Sequence, residues 1–77
     1  MKINYKQNGQ AVITGDEKVL AKAAGESIEQ QFDEIPSRVD ADNLAKLYEK
    51  ALVTKGGYFA AKYVAMKNKF LSQNSGA

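Results

Sequence analysis

The sequence predicts an α+β domain in which an N-terminal β-hairpin lies against a three-helix bundle. Three observations point there: an Asn8-Gly9 pair between short apolar runs, apolar residues spaced three and four apart from Leu20 onward, and Gly56-Gly57 dividing two helical patterns. The expected bounds are about 2–14 for the hairpin and about 15–33, 41–55 and 57–72 for the helices. All lie in one domain spanning 1–77, with a frayed tail over 73–77.

The hairpin reading rests on Asn-Gly, since both residues tolerate positive φ. A two-residue turn at Asn8-Gly9 would set Ile13 opposite Asn4. A three-residue loop, Gln7-Asn8-Gly9 with Gly9 left-handed, pairs Lys6 with Gln10, Ile3 with Ile13 and Tyr5 with Ala11. The second register makes one face wholly apolar and is preferred. A lone two-stranded ribbon is marginal in water, so that face is expected to cover the helices or join a partner's strands.

Thr14-Gly15-Asp16-Glu17 has the spacing of a capping box for the first helix. Its core face would carry Leu20, Ala24, Ile28 and Phe32, with Ala21 and Ile35 beside them. Gly25 in mid-helix suggests close approach of a neighbour. Pro36 stops this helix. Asp40 is the preferred N-cap of the second helix, because Val39 and Leu44 then form a hydrophobic staple; Ser37 is the alternative. The second helix carries Leu44, Leu47, Tyr48, Ala51 and Leu52 on one side and is expected to end after Lys55, with Gly56 in the left-handed position. In the third, Phe59, Tyr63, Met66 and Phe70 form one apolar strip, with Ala60, Val64 and Leu71 beside it. So short a turn predicts that the second and third helices fold back as an antiparallel pair.

Composition sets the functional bounds. The chain has 77 residues, is 44% hydrophobic and contains neither Cys nor His. No disulfide or His/Cys metal cluster can then brace so small a core, which leaves tight helix packing or self-association, a homodimer included. The commonest general base and the best nucleophile are both missing, so the expectation is a protein without catalytic residues, metal or cofactor. Asp16, Glu17, Asp40 and Asp42 are read as helix-start charges, and Lys67 and Lys69 as helix-end charges. Asp40-Ala-Asp42 opens like a calcium loop, but Leu44 and Ala45 stand where an oxygen ligand and a glycine belong. Thr54-Lys55-Gly56-Gly57 has the residue types of a phosphate cradle without its spacing. No apolar run is long enough to span a bilayer, and the N-terminus lacks the apolar core of a secretory signal; the expected location is cytoplasmic.

Charge is the main functional lead. Residues 1–40 hold five basic and seven acidic groups, residues 41–77 six lysines and two acids, and every charge after Glu49 is a lysine. Lys55, Tyr58, Lys62, Ala65 and Lys69 form the candidate partner-binding set, lysines around an exposed tyrosine suiting an acidic protein surface. Val64 and Leu71 are a candidate seam for a partner or a dimer. The expected function is non-catalytic binding of a macromolecule, as a small regulator or inhibitor that occludes a protein partner. On size and composition alone, that expectation extends to accessory proteins of phages and mobile elements, anti-CRISPR inhibitors among them. The alternatives are a nucleic-acid-binding regulator using the basic third helix, disfavoured by the presence of a single arginine, and a structural homo-oligomer.

Overall fold

Strand β1 (Lys2–Tyr5) pairs antiparallel with β2 (Ala11–Thr14), and helices α1 (Glu17–Ala23), α2 (Ala41–Val53) and α3 (Tyr58–Gln73) follow. This α+β arrangement is seen in a computed structural model that describes residues 1–24 and 38–74. The expectations for Gly25, Ile28, Phe32, Ile35, Pro36 and Ser37, and for the first helix beyond Ala24, lie outside the described residues.

The hairpin takes the three-residue-loop register. Ile3 faces Ile13 and Tyr5 faces Ala11. The Lys6 amide donates to the Gln10 carbonyl at 2.8 Å, and Gly9 sits at φ 88°. The Asn8 side chain accepts from the Gln10 amide, so the loop satisfies its own backbone. The β2 side of the apolar face reaches the core, with Ala11 and Ile13 buried, whereas Tyr5, opposite Ala11 on β1, remains 58% exposed. The ribbon thus covers the helices with its β2 side and the Ile3 end only.

Helix α1 starts differently from the expected capping box. Thr14 is held in the strand opposite Lys2, and Asp16 is the N-cap but makes no side-chain bond to its own helix. Its carboxylate points into the protein instead. Because Asp16 is drawn inward, the residues three and seven positions on follow it: Val19 is fully buried and Ala23 partly so, while Ala21 and Ala24 are exposed. The core face is therefore turned by about one residue from the expected one, with Leu20 at its margin.

Asp40 caps α2, its carboxylate accepting from the Asn43 amide at 2.7 Å, and the flanking Val39 and Leu44 are both buried as a staple requires. The helix ends at Val53, two residues before the expected stop. Thr54 turns extended at ψ 134°, with both its amide and its hydroxyl donating to the Lys50 carbonyl. The Lys22 ammonium explains the early end. It donates to the carbonyls of Ala51, Leu52 and Thr54 at 2.8, 2.8 and 3.2 Å, taking acceptors that the amides of Lys55 and Gly56 would use in a longer helix. Gly56, at φ 84°, then makes the reversal.

Helices α2 and α3 run antiparallel. Lys50, near the end of α2, lies 4.5 Å over the Phe59 ring at the start of α3, and Val39, just before α2, is bonded to Gln73 at the end of α3. The Gln73 amide donates to the Val39 carbonyl and accepts from its N–H, so both backbone groups are satisfied by one side chain. Gln73, the first residue of the expected frayed tail, is thus the pinned last residue of α3. Asn74 continues the attachment by accepting from the Ala11 amide at 2.9 Å, tying α3 to the hairpin. The buried strip of α3 is Ala60, Tyr63, Met66 and Phe70, with Phe59 half-buried at its edge. No helix among the described residues is long and apolar enough to cross a membrane.

Candidate docking surface on the third helix

The functional question is which lysines the fold uses for itself. Lys67 falls on the apolar side of α3 between Ala60 and Tyr63, where an ammonium cannot stay without a counter-charge. Its partner is Asp16, at 2.8 Å, and the two side chains are only 16% and 4% exposed. The Tyr63 hydroxyl, fully buried, donates to the same carboxylate oxygen at 2.8 Å and approaches the Met1 sulfur. Tyr48 meets the Tyr63 ring edge-on, with centroids 5.6 Å apart, and donates its own hydroxyl to the Gly15 carbonyl. Lys67 is therefore not a helix-end charge, and Asp16, although it stands at the start of α1, spends its carboxylate on α3 rather than on its own helix. They are two halves of a buried bolt joining the start of α1 to the middle of α3.

The electrostatics of the bolt are self-consistent. Burial alone would raise the Asp16 carboxyl, but the hydrogen bonds from Lys67 and Tyr63 and the lysine charge outweigh it and hold the group below the usual carboxylate range. Burial, and then the adjoining Asp16 carboxylate, push the Tyr63 phenol well above its ordinary value. At neutral pH the carboxylate is ionised and the phenol keeps its proton, the two states in which every bond in the cluster is made. A lysine on the apolar stripe was the available sequence signal for this cluster. No comparable signal marked Lys22.

The remaining lysines divide cleanly. Lys22 closes α2, Lys67 holds Asp16, Lys50 covers Phe59, and Lys46 lies 4.0 Å from Asp42 on the exposed side of α2. Among the described residues, Lys2, Lys6, Lys18, Lys55, Lys62 and Lys69 have no ion pair or hydrogen bond from their ammonium groups, and the last three lie on α3 and the turn before it. Lys55 is exposed in the α2–α3 turn, while Lys62 and Lys69 are half-buried on α3. Tyr58, Lys62, Ala65 and Lys69 fall within about 60° of one another around α3, so the expected set shares one side of the helix. Tyr58 is 37% exposed and packs edge-on against Phe59, with centroids 5.1 Å apart.

Val64 and Leu71 lie on the far side of α3 from these lysines, partly buried against the core cluster. Asp40 and Asp42, which resemble the opening of a calcium loop, act as a helix cap and as the partner of Lys46. No group of acidic residues placed to hold a metal ion occurs among the described residues. No protein-family model, no curated protein and no solved structure matches this chain.

Proposed function

We propose that the protein is a non-catalytic binding module that docks an acidic surface of a larger protein through Lys55, Tyr58, Lys62, Ala65 and Lys69, and that it works as a small regulator or inhibitor by covering that surface. The observation that carries this reading is the division of the lysines. Lys22, Lys50 and Lys67 serve the fold, whereas Lys55, Lys62 and Lys69, three of the six lysines with no described partner, gather on α3 and the turn before it. A cationic face of this kind steers acidic partners and sets the register of docking.

The test is affinity capture with the wild-type protein and with Lys62→Glu/Lys69→Glu. The expected result is one stoichiometric partner, of acidic composition, lost on charge reversal while the variant's melting temperature stays unchanged. Recovery of nucleic acid in its place, with affinity falling steeply as salt rises, would transfer the surface to the nucleic-acid reading. Equal recovery by both proteins would end the role of this face.

A further inference from the structure

We infer that the element received by this surface is an acidic amphipathic helix whose carboxylates repeat one heptad apart and which lies along α3; this rests on the acidic-partner reading above. Lys62 and Lys69 are seven residues apart on a continuous helix. Their backbones are therefore separated by about 10.5 Å along the axis and by only about 20° around it. An occupant must offer two negative charges at that interval on one side of a stiff element. A helix with Glu or Asp at positions i and i+7 does so with the same rise, and a left-handed crossing of about 20° absorbs the angular drift of the two facing helices, so both pairs close together.

The residue between the lysines permits the approach. Ala65 presents only a methyl group, so a second backbone can come close enough for both ammonium groups to reach past it. Tyr58, held against Phe59, bounds the surface toward the turn.

Two other occupants fit less well. A second copy pairing α3 against α3 antiparallel would bring Lys62 opposite the partner's Lys69, like charge against like. A nucleic-acid duplex would gain only about two phosphate contacts from Lys62 and Lys69, far fewer than the roughly six to ten that give a strong electrostatic attachment.

The experiment uses two synthetic alanine-rich helical peptides of identical composition. One carries its two glutamates seven apart, and the other carries them five apart, on different sides of the helix. Each is titrated at low salt into isotope-labelled full-length protein, with the Lys62 and Lys69 signals followed by NMR. The heptad-spaced peptide is expected to bind roughly fivefold to tenfold more tightly than its control. Lys62→Gln/Lys69→Gln, which removes charge without reversing it, should abolish that difference. Equal binding of both peptides through Lys62 and Lys69 overturns the helix-spacing inference and leaves the acidic-partner reading standing. Shifts from neither peptide, or shifts that persist in the Gln variant, overturn both.

Discussion

At the scale of single residues, Asp16 shows how one side chain can redirect a whole helix. A carboxylate at a helix start is ordinarily a cap, and its neighbours then set the buried face. Here Lys67 and Tyr63 draw the carboxylate into the core, and Val19 takes the fully buried position on α1. Replacing one partner leaves the other buried and uncompensated, so Asp16→Asn is expected to cost about 3–5 kcal/mol in urea unfolding at neutral pH. The pH dependence has a definite sign at each end. The folded-state value of Asp16 is lowered, so its contribution is complete above about pH 4 and is lost as pH falls through that lower value. The folded-state value of Tyr63 is raised, so its contribution is complete below about pH 10 and is lost as pH rises beyond it. Urea midpoints measured across pH should therefore lose their acid-side slope in Asp16→Asn. A slope unchanged from wild type would show that the bolt does not control acid stability.

At the scale of elements, the hairpin and the start of α2 were legible, whereas the cap of α1 and the end of α2 were not. Only one register puts Ile3, Ile13, Tyr5 and Ala11 on a common face, so a local pattern was enough to choose the loop. Asp40 was legible for the same reason, since its staple partners Val39 and Leu44 are its near neighbours. The end of α2 depends on Lys22, which lies 29 residues before the first carbonyl it caps, and no local pattern reports a contact at that separation. The same distance in sequence hid the pairing of Asp16 with Lys67, although a lysine on the apolar stripe of α3 hinted that some acid must reach it. Lys22→Met should cost about 1–3 kcal/mol by stranding carbonyls at the end of α2. Amide exchange at Thr54, whose N–H is bonded to the Lys50 carbonyl, should quicken more than exchange in the middle of α2. Uniform acceleration along the helix would instead indicate general destabilisation.

At the scale of the whole molecule, the fold sorts its charges by use. Three attachments close the structure without a disulfide: Lys22 onto α2, Asp16 onto Lys67, and Gln73 with Asn74 onto the chain before α2 and onto the hairpin. Of the lysines left over, Lys2, Lys6 and Lys18 lie on the hairpin and α1, while Lys55, Lys62 and Lys69 share α3 and the turn before it, and that second grouping is the physical basis for reading α3 as a docking face. That placement was visible in the sequence as a run of lysines after Glu49. Which of them were already engaged was not, because Lys67 and Lys69 are two residues apart and differ only in the side of the helix they occupy. The most direct check is the rate at which each lysine of the free protein is acetylated by a water-soluble reagent at neutral pH, read by peptide mass spectrometry. Lys55, Lys62 and Lys69 should react at least about tenfold faster than Lys22 and Lys67, whose ammonium groups are held by internal acceptors. Protection of Lys62 and Lys69 equal to that of Lys67 would contradict the account, since the docking face would then already be occupied by the protein itself.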